Sequence, residues 1–234
     1  MRCWLLLVVA LFCSAPAVAQ QVTTRTWTDA DGTVWMQTTE THYESVAAGT
    51  ERLLAVPAER AVRGIASFGP FEVIDATRAA LVAETDGRSP ARLAAMLRAY
   101  PGIRTLELVD CPGTLDDTAN LALGRMIHAR GLATEVPSGG SVRSGAVELF
   151  LAGTVRHAAP DAEFAVHAWE DEDGRQPADF TPDAPVNRAY IAYYREMGLA
   201  PADAQAFYAL TNSVPNSAVL VLHTPDIARF AALD

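Results

Sequence analysis

Hydrophobic and polar side chains alternate over residues 22–45, a stretch rich in threonine, valine and aromatic residues. Alternation of this kind is typical of β-strands with one buried face. Asp31-Gly32 is a strong hairpin signal, so the pattern predicts two strands joined by a plain turn at Asp29 to Gly32. A loosely structured connection is predicted up to about residue 57.

From residue 63 onward, short strand patterns alternate with helical patterns. Strands are predicted at residues 64–69, 103–110, 132–137 and 161–169. Helices are predicted at residues 89–100, 116–130, 146–152, 186–199 and 201–212. Residues 73–83 fit either a helix or a mixed segment. Ser89 and Thr224 each precede a proline and are predicted helix N-caps. Strand–helix–strand alternation with short turns predicts a mainly parallel sheet.

One polar stretch interrupts this alternation. EDEDGRQPADFTPDAP (170–185) is acidic and contains several prolines. The composition predicts an exposed loop or a lid between two structured segments.

The N-terminus has the layout of a secretory signal peptide. Arg2 is a short basic region, residues 4–12 are apolar, and Ala17-Val18-Ala19 is a small-residue cleavage site. The apolar run is shorter than the roughly 20 residues that a membrane span needs. We therefore expect cleavage after Ala19, a secreted or periplasmic protein, and no stable membrane span after cleavage.

Composition removes several classes of chemistry. The formal net charge of −10 disfavours nucleic acid and anionic membrane surfaces as partners. All 18 basic residues are arginine, so the chain has no lysine for a Schiff base, a Walker motif or a Ser–Lys dyad. The histidines have no spacing typical of a metal site, and neither metal nor cofactor is expected.

Ser144 is a candidate nucleophile. It follows the glycine- and serine-rich loop SGGSVR and precedes Gly145 and an apolar run that is predicted to be a buried helix. Free backbone N–H groups at such a helix start can stabilise negative charge on an acyl oxygen. The same pattern also fits an ordinary helix N-cap.

His167 is the candidate partner of Ser144. It ends the apolar strand pattern AEFAVHAW, directly before the acidic loop. Binding sites gather at the carboxyl ends of strands in open parallel sheets, where a histidine can reach a neighbouring helix start. A histidine that is only part of the core is the alternative.

The order of these motifs resembles the Clp peptidase/crotonase-like superfamily, and more narrowly its secreted or periplasmic bacterial Clp-peptidase-like members. CPGT (111–114) stands where the family has Ser-Pro-Gly-Gly at a strand end. SGA (144–146) stands at the nucleophile motif, FLAG (150–153) at the following helix end, and His167 at the family's histidine. The resemblance covers roughly residues 62–234.

This resemblance implies an α/β fold with a ββα-repeat spiral core and a mainly parallel sheet. The expected organisation is a signal peptide at 1–19, a β-hairpin and connection at 20–61, and a Clp-peptidase-like domain at 62–234. Because Clp-like domains often assemble into rings or trimers, a homo-oligomer is expected.

The resemblance also implies roles for individual residues. Ser144 would be the nucleophile and His167 the general base, then acid. The N–H of Gly145 and the Gly113-Thr114 turn would bind the oxyanion. This arrangement implies acyl transfer to water from a peptide or acyl substrate through an acyl-enzyme.

The chain departs from the family pattern at three places. Thr114 replaces the second glycine of the turn and can turn its N–H away or crowd the site. Cys111 replaces a serine and is either a reactive thiol or a small buried residue. The family's aspartate would fall within NSAVLVL (216–222), which has no carboxylate, so Asn216 is the candidate orienting residue and Asp226 the second.

Two functions therefore stay open. The first is a secreted or periplasmic serine hydrolase, peptidase-like, that uses Ser144 and His167. The second is a catalytically degenerate Clp-like domain that binds a peptide or protein partner in the cell envelope. Acyl-CoA chemistry is disfavoured, because the export signal separates the chain from CoA and no lysine is present to meet its phosphates.

Overall fold

The computed structural model describes residues 18–28, 34–47 and 62–234, and for the first two ranges only the backbone. The strands are β1 Val18–Thr28, β2 Val34–Ala47, β3 Ala66–Phe68, β4 Phe71–Val73, β5 Arg78–Leu81, β6 Thr105–Leu108, β7 Asp110–Cys111, β8 Ala133–Val136, β9 Ser141–Arg143, β10 Arg156–Ala158, β11 Glu163–Val166 and β12 Ala218–His223. The helices are α1 Ser89–Ala99, α2 Asp117–Ala129, α3 Ala146–Leu151, α4 Pro185–Glu196, α5 Pro201–Thr211 and α6 Thr224–Ile227.

The strands form two six-stranded sheets. One sheet has the order β1-β2-β12-β11-β9-β7, in which β11, β9 and β7 are parallel and the other pairs antiparallel. The other has the order β10-β8-β6-β5-β4-β3, in which β10, β8, β6 and β5 are parallel.

Successive strands go to the two sheets in turn. β6, β8 and β10 enter one sheet, β7, β9 and β11 enter the other, and α2 and α3 separate consecutive strand pairs. Each ββα unit therefore adds one strand to each sheet and then a helix, which generates a spiral. The predicted α/β fold with a ββα-repeat spiral and mainly parallel pairing is confirmed by this strand order.

The core lies between the sheets and under the helices. The run Ala146 to Leu151 is buried on every side, as its continuous apolar pattern predicts. Phe150 packs against Phe164 of β11 with ring centroids 5.1 Å apart. This contact seats α3 directly beneath the ends of the parallel strands.

Several predicted elements need correction. Residues 73–83 contain no helix, because β4 turns at residues 74–77 into β5. Ser89 and Thr224 are the first helical residues of α1 and α6, so the N-caps are Arg88 and His223. Ser89 Oγ instead bonds back to Asp86, which closes the preceding turn.

The N-terminal strands extend the first sheet. β1 and β2 pair antiparallel, with Trp27 opposite Trp35, as predicted. β2 also pairs with β12 through Ala47 and Ala218. The turn Asp29 to Gly32 and most of the predicted signal peptide lie outside the described residues, and β1 includes its last two residues, Val18 and Ala19.

Candidate active site

Four neighbouring strands bring the predicted site residues to one edge of a sheet. Gly113 and Thr114 follow β7, Ser144 follows β9 and His167 follows β11. These three strands are parallel neighbours, so their carboxyl ends lie side by side. Asn216 precedes β12, which is antiparallel to β11 and therefore begins at the same edge. The sheet order thus places the glycine turn, serine, histidine and asparagine in sequence across the edge.

Ser144 has a left-handed backbone conformation. Its φ of +50° is the only positive φ at a non-glycine residue in the described part of the chain. Two hydrogen bonds hold it: the Ser144 N–H donates to Ala165 O at 2.7 Å, and the Val147 N–H donates to Ser144 O at 2.9 Å. Conformations of this kind cost free energy and concentrate at functional sites.

The helix-cap interpretation of Ser144 is wrong. The N-cap of α3 is Gly145, and no side chain caps this helix. Ser144 lies between β9 and α3, half-buried, at the wall of a cavity. The serine hydroxyl is therefore not used by the helix end and is left for another role.

Gly113 lies against the Ser144 side chain. Its φ is +135°, a region that favours glycine. A Cβ built on Gly113 would lie 3.0 Å from Ser144 Cβ and 3.4 Å from Ser144 Oγ. Only a residue without a side chain lets the turn after β7 approach the serine this closely.

Thr114 packs on Gly145 rather than on Ser144. A Cβ on Gly145 would lie 2.6 Å from Thr114 Cγ2, so the missing side chain of Gly145 makes room for the threonine methyl group. Thr85 N–H donates to Gly113 O and Leu115 N–H donates to Thr85 O, which makes Thr114 the partner of Thr85 in a parallel bridge. In such a bridge the N–H of Thr114 itself points away from Thr85.

Asn120 fixes the peptide after the serine. This buried side chain of α2 donates from Nδ2 to Gly145 O at 2.6 Å, and its Oδ1 accepts from the Thr85 hydroxyl at 3.1 Å. Asn120 therefore ties the serine loop to Thr85, whose backbone is bridged to Thr114 in the turn after β7.

The His167 ring is oriented by a carbonyl and an amide. Nδ1 lies 2.9 Å from Ala168 O and 3.2 Å from Asn216 Nδ2, and Asn216 Nδ2 donates to the same carbonyl at 3.0 Å. Because a carbonyl only accepts, the shorter contact favours the tautomer with the proton on Nδ1 and a free lone pair on Nε2, and Asn216 then bonds the carbonyl rather than the ring. Among the described residues, no hydrogen bond joins this ring to the Ser144 hydroxyl.

The other candidates lie elsewhere. Asp226 Oδ2 accepts from the His223 N–H at 2.9 Å and caps α6. Cys111 is the last residue of β7, fully buried, and its thiol donates to Leu81 O at 3.2 Å. Burial raises the pKa of this thiol far above its usual range. Cys111 is therefore a core residue and not a reactive thiol.

Ser144 and His167 line one cavity of about 390 Å³, which we call the Ser144 cavity. Its wall includes Pro112, Thr114, Leu115, Asp117, Gly145, Glu148, Trp169, Glu170, Tyr190, Tyr194, Tyr208, Asn212 and Asn216. The volume is sufficient for a side chain or a small ligand.

Glu148 is the most perturbed acid in this cavity. It lies on α3, four residues after Ser144 in the chain, and is 7% exposed. Burial raises its pKa to about 7, although the Tyr194 hydroxyl donates to Oε1 at 2.6 Å and acts in the opposite direction. Desolvation also raises the pKa of Asp117 in the same wall, although the Tyr190 hydroxyl and the nearby His167 both act to lower this pKa. Groups perturbed in this way are candidates for function.

The acidic loop packs against residues that line the cavity. Phe180 packs on Trp169 with ring centroids 5.5 Å apart. Gln176 accepts a hydrogen bond from the Asn216 N–H at 3.0 Å and donates to Glu170 at 3.1 Å. The loop is thus attached to the two segments that hold His167 and Asn216.

Sequence reasoning missed Glu148 and Asn120. Glu148 is the only charged residue of the apolar run AVELFLA, and its position on an otherwise buried helix is the signal that could have found it. Asn120 gave no such signal, because one asparagine in an amphipathic helix is usually exposed.

The strand order and the cavity define an α/β protein with a ββα spiral and a site that contains a serine and a histidine. No family model and no curated protein matches the sequence. The chain is similar to a variant of the 1510-N membrane-bound stomatin-specific protease in complex with a substrate peptide, at 15% identity and a TM-score of 0.42, over 65% of this chain and 72% of that one. It is also similar to the ClpP protease catalytic domain from Plasmodium falciparum, at 12% identity and a TM-score of 0.47, over 66% and 81%. Both matches are at low identity, and the fold described above rests on the strand order itself.

Two features are absent from residues 18–28, 34–47 and 62–234. No helix in these ranges is long and apolar enough to cross a membrane. No group of three or more His, Cys, Asp or Glu side chains in them is arranged to hold a metal ion.

Proposed function

We propose that this protein is a serine hydrolase of the cell envelope or exterior that acts on peptide or acyl bonds. The observation that carries the proposal is the convergence of Gly113, Ser144, His167 and Asn216 at the ends of four neighbouring strands. Ser144 is the nucleophile, and its left-handed backbone presents the hydroxyl at the cavity wall.

The proposed reaction begins with attack of Ser144 Oγ on the substrate carbonyl carbon, while His167 Nε2 takes the hydroxyl proton. The tetrahedral oxyanion lies between the serine and the turn after β7, where the N–H groups of Gly145 and Thr114 are its candidate donors. His167 then gives the proton to the leaving group, which leaves an acyl-enzyme. Water then attacks this ester while His167 takes a proton from the water. His167 passes that proton to Ser144 Oγ as the ester bond breaks, and the acid is released.

Asn216 is proposed to act through His167 and not on substrate. It donates to the Ala168 carbonyl that also receives the imidazole N–H, so it fixes the position of that carbonyl and, through it, the ring. A neutral amide cannot offset the imidazolium charge as a carboxylate would, which predicts slow turnover.

The direct experiment is labelling of the purified protein with a fluorophosphonate. We expect one adduct in the wild type and in Ser217→Ala, an exposed serine outside the cavity, and none in Ser144→Ala. Labelling that survives Ser144→Ala would overturn the assignment of the nucleophile.

A binding protein is the second candidate, and one observation favours it. The contacts of the His167 ring are made by Nδ1 with the Ala168 carbonyl and Asn216, and neither goes to Ser144, so the pair is not poised for proton transfer in this structure. Catalytic hydrogen bonds often tighten only when substrate is bound. A folded wild-type protein that takes no label would favour this second function.

A further inference from the structure

The Ser144 cavity offers a ligand several hydrogen-bond acceptors. Glu148 presents a buried carboxylate, of which Oε1 accepts from the Tyr194 hydroxyl. Asn212 lies in the same wall, and its Oδ1 is buried without a hydrogen-bond partner among the described residues. A buried acceptor without a donor is costly, so this wall suits a ligand that brings its own N–H groups.

The charge of the cavity has one sign. Glu84, Asp117, Glu148 and Glu170 line it, and none of the described lining residues is an arginine. An anionic ligand would be repelled here, and an apolar one would leave Asn212 Oδ1 without a donor and Glu148 with the Tyr194 hydroxyl but no cationic partner. A cation satisfies both the charge and the acceptors.

Aromatic side chains form the rest of the wall. Trp169 stacks on Tyr190 with ring centroids 6.4 Å apart and planes 2° apart, and Tyr190 lies 5.9 Å from Tyr208. The Tyr208 hydroxyl donates to Asn187, and Trp169 Nε1 donates to Tyr208, so the rings are held in place. Fixed aromatic faces next to carboxylates favour guanidinium and ammonium groups.

We propose that the Ser144 cavity binds the basic side chain of a peptide, with Glu148 receiving its guanidinium or ammonium head. Glu148 and Ser144 line the same cavity and lie four residues apart in the chain, so a basic side chain bound at Glu148 belongs to a substrate held beside Ser144. This inference rests on the proposed function, because it takes the cavity as the substrate pocket of that site.

The state of Glu148 supports this assignment. Burial raises its pKa to about 7, and Asp117 adds to the increase while Tyr194 opposes it. A carboxylate held in this way gains most from a cationic partner, which replaces the water that burial removed. An arginine or lysine head would serve as that partner.

The test measures binding and not turnover. Isothermal titration of the purified protein near pH 8 compares N-acetyl-arginine amide with N-acetyl-citrulline amide, its neutral isostere. We expect the arginine ligand to bind at least about tenfold more tightly, as one charge-assisted hydrogen bond provides. Glu148→Gln is expected to remove this preference, and Glu172→Gln, which removes the same charge from the exposed loop outside the cavity, to keep it.

Equal affinity for the two ligands in the wild type would overturn the inference, and so would an unchanged preference in a folded Glu148→Gln protein. The wild-type comparison needs no variant, so a Glu148→Gln protein that fails to fold does not weaken the test. Fluorophosphonate labelling separates the two proposals. An arginine preference without labelling would support the pocket assignment and contradict the hydrolase proposal. Labelling without the preference would support the hydrolase proposal and contradict the pocket assignment.

Discussion

Ser144 stands between two polar clusters that differ in how their members are linked. Before it, Arg143 donates to Ser141 at 2.6 Å and pairs with Asp110 at 2.9 Å, and Ser141 donates to Glu163 at 2.6 Å. We call these four residues the strand cluster. After it come Glu148 and Asn212, where one carboxylate has a tyrosine donor and one amide oxygen has none. We call these two residues the cavity pair.

The difference separates a structural role from a binding role. The strand cluster joins β7, β9 and β11, whose ends present the site, and its members are linked to one another by hydrogen bonds and an ion pair. The cavity pair keeps acceptor capacity that the described residues do not fill. Removing a member of the strand cluster should therefore lower the free energy of unfolding. Removing the charge of Glu148 from the cavity pair should raise it.

The largest expected effect is on the strand cluster. Arg143→Met would leave buried Glu163 and Ser141 without their cationic neighbour, and we expect a loss of about 3–5 kcal/mol of unfolding free energy. Urea unfolding followed by circular dichroism measures it. Arg175→Met is the control, since Arg175 is exposed and its ion pairs with Asp171 and Asp173 should contribute about 1 kcal/mol or less. Equal losses in the two variants would remove the distinction between the clusters.

The second effect has the opposite sign and depends on pH. The folded-state pKa of Glu148 is about 7, above the ordinary 4.5, because of burial, with Asp117, Tyr193 and Tyr194 as neighbouring titratable groups. The contribution of Glu148 to the free energy of unfolding is therefore fully present below about pH 4.5 and is lost as the pH rises through about 7. We expect Glu148→Gln to gain roughly 2–3 kcal/mol over wild type between about pH 5 and pH 8.

The measurement for Glu148→Gln is a series of urea unfolding curves across that pH range. Glu172→Gln, with an exposed carboxylate, should follow the wild-type curve throughout. A Glu148→Gln difference that stays constant with pH would mean that Glu148 is not titrating in the folded protein.

The fold was largely predictable, because it depends on patterns that repeat. Apolar strands, Pro at helix starts and the order of the motifs gave the spiral and the main helices. Strands β9, β10 and β12 were not predicted. β9 and β10 have three residues each, and β9 buries Ser141 and Arg143 rather than an apolar run. Local propensity cannot identify a strand whose buried polar groups are satisfied only by neighbouring strands.

The candidate site was predictable only in part. Ser144, His167 and the glycine turn stand out because each follows a strand pattern or a turn signal. The Ala168 carbonyl beside His167 and the Asn120 contact with Gly145 depend on tertiary geometry, which one sequence does not contain. The concern about Thr114 has a specific answer in the missing side chain of Gly145.

The third effect tests that answer. Gly145→Ala would place a Cβ 2.6 Å from Thr114 Cγ2 and 3.0 Å from Asn120 Nδ2, and we expect a cost of about 1–3 kcal/mol. Thr114→Ser removes the methyl group that is closest, so adding it to Gly145→Ala should recover part of the loss. A double-mutant cycle from unfolding curves measures the coupling. Additive effects would show that Thr114 and Gly145 do not constrain each other.

The smallest effect concerns the orientation of His167. Asn216→Ala would free the Ala168 carbonyl, and we expect the fluorophosphonate labelling rate to fall about tenfold, a fraction of the contribution of a general base. The pH profile of labelling should shift with it, which a loss of packing alone would not cause. Asn212→Ala, in the same wall but away from the histidine contact, should leave that profile in place.

The most direct measurement maps the fluorophosphonate adduct by mass spectrometry in the wild type and in His167→Gln. We expect the wild-type adduct on Ser144 and, in the folded His167→Gln protein, loss of nearly all labelling, since the histidine provides the base. An adduct on another residue, or labelling of Ser144 at the wild-type rate without His167, would contradict the serine–histidine assignment.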